Sequence, residues 1–168
     1  MAVREVLRLP HPMLKQTARS LGSGETETVL RVTGDLVDTM LAYERCVGLA
    51  APQIGELVRL IVVDVSRHPK GESENGLIEL ANPVLVRADG DELGREGCLS
   101  VPQLTANVRR ATHVVVRGVV PAGAERVVEA SGFEARCLQH ELDHLDGILF
   151  LDRVESLATD VFARKRYV

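Results

Sequence analysis

The chain has 168 residues, of which 45% are hydrophobic and 26% charged, and its formal charge at pH 7 is −4. This composition excludes wholesale disorder, and the length predicts a single domain over residues 1–168. Because only 3% of the residues are aromatic and the charge is acidic, neither base stacking nor attraction to phosphates is favoured. We therefore expect no specific nucleic-acid partner.

The sequence shows no sign of export or of membrane insertion. Apolar runs such as Leu60–Val63 are far shorter than the roughly 20 residues that cross a bilayer. The first residues, MAVREVLRLP, have neither the apolar core of a signal peptide nor the composition of a transit peptide. The cysteines are odd in number and too few for a disulfide framework in a chain of this size: Cys46, Cys98 and Cys137. We expect a cytoplasmic protein with no membrane partner and at least one free thiol.

The first half of the chain predicts one helix and one buried strand. Residues 1–25 mix short apolar pieces with prolines and glycines, which indicates extended chain with one short helical turn. Between Thr26 and Arg45 the apolar residues recur at helical spacing, so an amphipathic helix is predicted there. Leu57–Val65 is rich in β-branched residues and predicts a buried strand, and loop-forming residues follow over Ser66–Gly76.

The second half predicts short strands and then a second helix. Glycines and prolines separate four strand candidates, which are Ile78–Val86, Leu104–Val108, Thr112–Val119 and Arg126–Ala130. Their close spacing favours antiparallel pairing. Ser131 is a suitable N-cap for a helix that ends near Asp146, with Gly147 after it. This order predicts an α+β fold, with antiparallel sheets packed around a central carboxy-terminal helix.

The predicted second helix carries an H-E-x-x-H pattern at residues 140–144. At about 100° per residue, His140, His144 and Glu141 share one side of the helix, and leucines occupy the next. The remaining arc is predicted to face solvent, and its residues are Arg136, Gln139, Asp143 and Asp146. Two imidazoles one turn apart can bind one metal ion, with the adjacent carboxylate near a water on it. The pattern therefore predicts a metal site, and two incidental histidines are the alternative.

A third protein ligand is required for such a site. No histidine follows His144, and Glu155, the only glutamate downstream, is poorly placed to act as the third ligand of a zinc protease. Cys98 lies upstream in a glycine-flanked turn, EGCLS, and its thiolate can complete a Cys/His/His site. A buried, inert thiol is the alternative interpretation of Cys98.

Three segments together resemble the signature motifs of one enzyme family. GLAAPQIG at 48–55, EGCLS at 96–100 and QHELDH at 139–144, followed by Leu-Asp-Gly, are similar in order and spacing to the motifs of peptide deformylases. The resemblance covers Val6–Arg153, nearly the whole chain. It implies a peptide deformylase-like fold and a metal-dependent hydrolase. The implied reaction removes the formyl group from the N-terminal formyl-methionine of newly made polypeptides and releases formate.

The resemblance also implies roles for individual residues. The metal ligands that it implies are Cys98, His140 and His144. Glu141 is implied to be the general acid and base, and Gln53 and the backbone N–H of Leu99 to stabilise the oxyanion. These groups suit the chemistry, because a divalent cation activates water and a neutral amide can donate to developing negative charge without titrating. The implied cofactor is Fe²⁺, with Zn²⁺, Ni²⁺ or Co²⁺ as possible replacements.

For the substrate, the resemblance implies an extended peptide that pairs with the protein backbone. The matching backbone positions are Val47, Gly48, Gly97 and Leu99. Phe133 and Cys137 share the metal side of the helix, where they either line an apolar pocket for the methionine side chain or belong to the core. Glu96 either pairs with Arg110, which would fix the loop of Cys98, or is a solvated charge.

Two positions depart from the family pattern. Cys46 stands where the family usually has glycine, and there it can narrow the mouth of the pocket or add an oxidisable thiol. Thr105 stands where some relatives have an arginine near the peptide, so that contact is not expected here. The basic segment 163–166 can contact the ribosome, and a solvated chain end is the alternative.

Two other functions fit part of the pattern. A zinc endopeptidase shares the H-E-x-x-H chemistry but cuts within chains. A metal- or peptide-binding module without catalysis would not require Gln53 and Glu141 beside the three ligands. A formyl-methionyl tripeptide separates these functions, because only a deformylase releases formate and leaves the peptide bonds intact.

Overall fold

The computed structural model describes residues 2–71 and 75–165. Its helices are α1 (Thr26–Ala42), α2 (Gly132–Leu145) and the short α3 (Leu157–Asp160). Its 3₁₀ turns are Pro12–Lys15, Ala51–Ile54 and Phe150–Arg153. Its strands are β1 (Gly48–Ala50), β2 (Leu60–Val63), β3 (Ile78–Asp89), β4 (Glu92–Cys98), β5 (Val101–Arg110), β6 (His113–Val119), β7 (Glu125–Ser131) and β8 (Val161–Ala163).

The strands form two antiparallel sheets. One sheet has five strands in the order β1-β2-β3-β6-β7, and the other has three in the order β4-β5-β8. Every pairing between these strands is antiparallel, as the short connections predict. The α+β prediction is therefore confirmed.

Helix α1 covers one side of the five-stranded sheet. Its apolar residues Val32, Leu36 and Met40 are buried in one cluster with Leu60 and Val62 of β2. This is the one-sided packing that an amphipathic pattern predicts. The helix therefore stabilises the sheet whose edge strand β1 begins at Gly48.

Helix α2 lies between the two sheets. Its leucines, Leu138, Leu142 and Leu145, pack in one cluster with residues of the five-stranded sheet. On its other side, Arg136 Nη1 donates to the carbonyl oxygen of Val108 on β5, at 2.7 Å. The helix is consequently buried from residue 134 to residue 145, with only a partial opening at residue 139. This position carries the H-E-x-x-H motif into the interior.

The prediction of a solvent-facing side for α2 was wrong for most of that arc. Arg136 and Asp143 are buried and Gln139 is half-buried, so only Asp146 is exposed. Burying a charge requires a partner, and Asp143 accepts hydrogen bonds from Arg110 Nη1 at 2.6 Å and from Arg153 Nη2 at 2.6 Å. A prediction from helical periodicity assumes that one face of the helix is in contact with solvent. A helix that packs between two sheets has no such face.

The residues predicted to begin and end α2 occupy the expected positions, but only some of the expected interactions are present. Ser131 occupies the N-cap position as predicted, but its side chain makes no capping hydrogen bond. Gly147 has φ +70°, and a Cβ there would lie 2.7 Å from the carbonyl carbon and oxygen of Lys15. The backbone conformation and the close approach both require glycine at this position.

Other differences concern short elements. The residues EGC, expected in a turn, end strand β4, and the turn that joins β4 to β5 begins only at Leu99. Strand β2 is shorter than the predicted Leu57–Val65, and neither α3 nor β8 was predicted. The predicted loop Ser66–Gly76 lies partly outside the described residues, which resume at residue 75. None of the described helices combines the length and apolar character needed to cross a membrane.

Candidate metal centre

Three side chains from distant parts of the chain meet at one point. One ligand atom each from Cys98, His140 and His144 lies within 4.8 Å of the other two, and all three residues are buried. The sulfur of Cys98 is 3.3 Å from Nε2 of His144. A thiolate and an imidazole on a tetrahedral metal are about 3.6 Å apart, so the observed spacing fits shared coordination.

Strand β4 and helix α2 position these three ligands. The two histidines are one helical turn apart on α2, and Cys98 ends β4. Cys98 lies two residues after Glu96 and is buried like it, as alternation along a strand requires, and the register of β4 against β5 shifts between Gly97 and Cys98. Local geometry thus turns the thiol toward the helix.

Glu96 fixes the orientation of one imidazole. Nδ1 of His140 is 2.8 Å from Oε2 of Glu96, so the ring donates to this carboxylate and keeps Nε2 for a metal. Burial raises the pKa of Glu96, but hydrogen bonds from His140 and Arg110 lower that pKa more, and the net result is well below its usual range. Glu96 is therefore a carboxylate that holds His140 in one tautomer.

Glu96 also belongs to a buried network of charges. Arg110 donates to it from Nε at 2.8 Å and from Nη2 at 3.1 Å, which confirms the predicted pairing. Arg136 Nη1 adds a contact at 3.1 Å to Oε1. Sequence reasoning missed Arg136, and the one signal for it is Gly94, where a Cβ would lie 2.7 Å from this guanidinium.

The electrostatics of Cys98 favour the form that binds metal. Burial raises the pKa of its thiol, but the two imidazoles lower that pKa more, and it falls well below its ordinary value. A thiolate is the form that coordinates metal ions. Nδ1 of His144 is buried and has no hydrogen-bond partner among the described residues. One sulfur and two imidazoles form a donor set that suits Zn²⁺ and other divalent first-row metals, so the residues present fit a metal ion.

Glu141 is placed to handle a proton beside this centre. It is buried, and its Oε2 finds no hydrogen-bond partner in the described part of the chain. Burial raises the pKa of Glu141 to about 7, which suits a general acid or base near neutral pH. The Cα of Gly48 approaches so closely that an added Cβ would lie 2.7 Å from Oε1 of Glu141. Glycine at position 48 therefore leaves the space that this carboxyl group occupies.

Gln53 is buried next to Cys98. Its Oε1 accepts a hydrogen bond from the backbone N–H of Ala50 at 2.9 Å, which fixes the amide plane. Its Nε2 donates to Ser100 Oγ at 3.1 Å and to Cys98 Sγ at 3.4 Å. The donor end of the amide consequently points into the centre.

A cavity of about 630 Å³ opens beside these residues. All the positions expected to contact the substrate line it, namely Val47, Gly48, Gly97, Leu99, Phe133 and Cys137. Phe133 also packs against the core, so it fits both of the alternatives given for it. Sequence reasoning missed His68, whose ring stacks on Phe133 with centroids 4.7 Å apart.

The two positions that depart from the family pattern also line the cavity. Cys46 donates from Sγ to the carbonyl oxygen of Gly48 at 3.2 Å, and burial raises the pKa of this thiol to about 12. Thr105 accepts a hydrogen bond on Oγ1 from Arg95 Nη1 at 3.3 Å. Glu155 lies elsewhere and accepts from Arg109 Nε at 3.0 Å, so it is not the third ligand.

An H-E-x-x-H helix, a buried Cys/His/His group and a carboxyl of raised pKa beside a cavity define a metal-dependent hydrolase. Residues 3–160 match the family model described as polypeptide deformylase. The chain belongs to this family of enzymes, which remove the formyl group from the N-terminal methionine of nascent peptides. Membership in this family confirms the resemblance of the three motifs. It decides against the alternative function, which was that of a zinc endopeptidase.

Individual relatives match along nearly their full length. A peptide deformylase from Syntrophobacter fumaroxidans is 42% identical over 166 residues, covering 98% of this chain and 94% of the relative. A crystal structure of a peptide deformylase from Legionella pneumophila is 37% identical, with a TM-score of 0.83 over 93% of this chain and 88% of that one. A class I type b enzyme from Acinetobacter baumannii, solved with Met-Ala-Ser bound, is 34% identical, with a TM-score of 0.83 over 90% of this chain and 98% of that one.

Proposed function

We propose that residues 1–168 form a single catalytic domain in which a buried metal centre acts on formyl-methionyl peptides in the cytoplasm. The proposed metal ligands are Cys98, His140 and His144. The observation that supports this proposal best is the convergence of these three ligand atoms within 4.8 Å beside Glu141 and the cavity. Newly made chains emerge in the cytoplasm, where thiols stay reduced, which suits a cysteine ligand.

When bound, a divalent cation lowers the pKa of a water molecule toward neutrality and polarises the formyl carbonyl group. We propose Fe²⁺ as the cation in the cell. The mixed sulfur and nitrogen donor set also accommodates Zn²⁺, Ni²⁺ or Co²⁺, and so these are the expected replacements in a preparation.

Glu141 is proposed to move the proton in both halves of the reaction. Its carboxylate takes a proton from the attacking water, and Oε2, which has no partner among the described residues, is free to hold that proton. It then donates the proton to the departing amine nitrogen. A pKa of about 7 supports both steps, because the group can be either ionised or protonated at neutral pH.

Gln53 is proposed to donate to the formyl oxygen as negative charge develops on it. Its amide plane is fixed through the hydrogen bond from Ala50, so Nε2 stays directed into the centre when one of its N–H groups changes acceptor from Ser100 or Cys98 to the formyl oxygen. The backbone N–H of Leu99, in the turn after β4, is the proposed second donor. Two donors aimed at one oxygen form an oxyanion hole.

The peptide is proposed to lie extended against exposed backbone of the cavity wall. Val47, Gly48, Gly97 and Leu99 supply that backbone. The methionine side chain is proposed to enter the apolar part lined by Phe133 and Cys137, where His68 covers the phenyl ring. The Met-Ala-Ser complex of the relative supports this arrangement, since that peptide begins with methionine.

A contact of the basic end with the ribosome stays a prediction. Arg164 and Lys165 follow β8, and Arg166 lies outside the described residues. Loss of ribosome co-sedimentation after replacement of these basic residues would support the contact.

The experiment that tests the function uses formyl-Met-Ala-Ser and anaerobically purified, Fe²⁺-loaded protein. We expect one formate per peptide and a Met-Ala-Ser product of intact mass. Cleavage of an internal peptide bond, or absence of formate, would overturn the proposal. In parallel, Cys98→Ala is expected to lose stoichiometric metal while Cys137→Ala, a matched buried thiol, retains it. Full metal content in Cys98→Ala would contradict the ligand assignment.

A further inference from the structure

A second hollow of about 800 Å³ adjoins the catalytic cavity. The two hollows share three lining residues, which are Arg95, Thr105 and Arg164. The rest of the second hollow is formed by residues 161–165, which include β8. A peptide that leaves the catalytic cavity on this side therefore meets two arginines at the junction.

The guanidinium of Arg95 is held in a fixed orientation by neutral partners. Its carbon lies 3.7 Å from the centroid of the Phe162 ring. Nε donates to Asn107 Oδ1 at 3.0 Å, and Nη1 donates to Thr105 Oγ1 at 3.3 Å. Within residues 2–71 and 75–165, no carboxylate forms an ion pair with Arg95. The group therefore keeps its full charge and has N–H donors left for a ligand.

Arg164 reaches the same junction from the opposite side. Its backbone N–H donates to the carbonyl oxygen of Gln103 at 2.8 Å, which continues the pairing of β8 with β5. Its Nη2 lies over Gly97 so closely that a Cβ on Gly97 would be 2.3 Å away. Glycine at this position thus brings a guanidinium next to the backbone that is proposed to pair with substrate.

The charged side chains at this junction are basic, whereas the net charge of the whole protein is negative. Lys165 adds a third cation, and no aspartate or glutamate is found among the described residues that line the second hollow. The formal charge of the chain is −4, so this cluster is a local reversal of sign. A hollow lined by cationic side chains is suited to a carboxylate, to which the remaining N–H donors of Arg95 can make charge-assisted hydrogen bonds.

We propose that Arg95, at the junction of the two hollows, forms a subsite for a side-chain carboxylate at the second or third residue of the substrate, downstream of the formyl-methionine. The inference rests on the proposed function, because it requires the peptide to pass Gly97. It predicts that the enzyme deformylates peptides with an early aspartate or glutamate faster than their neutral counterparts.

The test compares aspartate with asparagine, which have nearly the same shape, in carboxy-terminally amidated peptides. The pairs are formyl-Met-Asp-Ala with formyl-Met-Asn-Ala, and formyl-Met-Ala-Asp with formyl-Met-Ala-Asn. For at least one pair we expect kcat/KM to be about three- to fivefold higher for aspartate at low salt, the upper range for an exposed ion pair, because Arg95 is exposed. The ratio should fall toward one at about 0.5 M salt because the charges are screened.

Variants of Arg95 identify the origin of this preference. Arg95→Gln should lower the Asp/Asn ratio by at least threefold, and Arg95→Lys, which keeps the charge, should retain most of it. Arg117→Gln is the matched control, because Arg117 is an exposed arginine on β6 that lines neither hollow. The control should leave both kcat/KM values unchanged.

Binding of the deformylated products gives a readout that is independent of turnover. For the position at which the kinetic preference is found, the product with aspartate (Met-Asp-Ala or Met-Ala-Asp amide) should have a Kd lower than its asparagine counterpart by a similar factor. Arg95→Gln should remove the difference. Equal kinetics for aspartate and asparagine in both pairs would overturn the subsite, as would an equal loss of preference in Arg117→Gln. If none of the four peptides is deformylated, the result would instead count against the proposed function.

Discussion

The close approach of Gly48 to Glu141 gives a sharp test of the catalytic geometry. In Gly48→Ala the new Cβ would lie 2.7 Å from Oε1 and 3.0 Å from Cγ of Glu141, where ordinary contact begins near 3.4 Å. The buried carboxyl group must therefore move by about 0.7 Å, the amount by which the contact is too short. A misplacement of about 1 Å can cost roughly 10²-fold in rate, and we expect a loss of that order in kcat. This loss corresponds to about 2.7 kcal/mol of transition-state stabilisation.

The assay is formate release from formyl-Met-Ala-Ser, with metal content and thermal unfolding measured on the same samples. Gly24→Ala is the matched control, since a Cβ at Gly24 meets nothing within 4 Å, and it should behave as wild type. Metal content should be unchanged in both variants, because Gly48 adjoins the carboxyl group rather than the three ligands.

A double variant shows whether the loss acts through the proton-transfer group. In a Glu141→Gln background the proton transfer is already lost, so adding Gly48→Ala should lower kcat by less than about threefold more. A full 10²-fold further loss would refute the reasoning, as would a Gly48→Ala enzyme whose kcat is within about threefold of wild type.

Three other changes should have separable effects. Glu141→Gln should keep its metal and lose at least about 10²-fold in kcat, because acid–base catalysis contributes about 10²–10⁴; a kcat within tenfold of wild type would remove Glu141 from the mechanism. Glu96→Ala leaves His140 and two arginines without their carboxylate, so urea unfolding should show a loss of about 3–5 kcal/mol, and the metal affinity should fall by about 10–100-fold. Unchanged metal affinity would contradict the role of Glu96. Hydroxamate peptides with a norleucine-like side chain should inhibit the enzyme strongly. His68→Ala should weaken this inhibition by about two- to tenfold because the stack on Phe133 is lost. Equal inhibition of both proteins would show that His68 is not part of the pocket.

The features that the sequence predicts well are those that depend on neighbouring residues. The H-E-x-x-H spacing places two imidazoles on one side of a helix in any fold, and Gly147 marks the end of that helix through its positive φ. Short connections predict antiparallel strands for the same local reason. The lack of a suitable downstream ligand suggested Cys98, and the resemblance of three motifs then implied its role. Nothing local to EGCLS indicates which helix it meets.

The features that were missed depend on contacts between distant segments. Arg136 was expected in solvent because helical periodicity takes account of one segment only, whereas its partner Glu96 lies on a strand of the second sheet. Likewise Arg164 reaches Gly97 only because β8 pairs with β5, and a three-residue strand gives almost no periodic signal. Buried charges and short edge strands are therefore visible only once the sheets are assembled.

The alternation of side chains along β4 links the substrate groove to the metal centre. Glu96 and Cys98 are buried and Gly97 between them is exposed, as the two-residue period of a strand requires. The strand therefore directs two side chains toward α2, which are Cys98, the proposed ligand, and Glu96, whose carboxylate orients His140. It leaves Gly97, which is proposed to pair with the peptide, exposed. A slip of one residue in the register of β4 would turn Gly97 toward the helix. The same slip would turn the Glu96 carboxylate and the Cys98 thiol away from it. Because Glu96 contacts His140 while Cys98 contacts His144, the strand and the helix can form the centre in only one register.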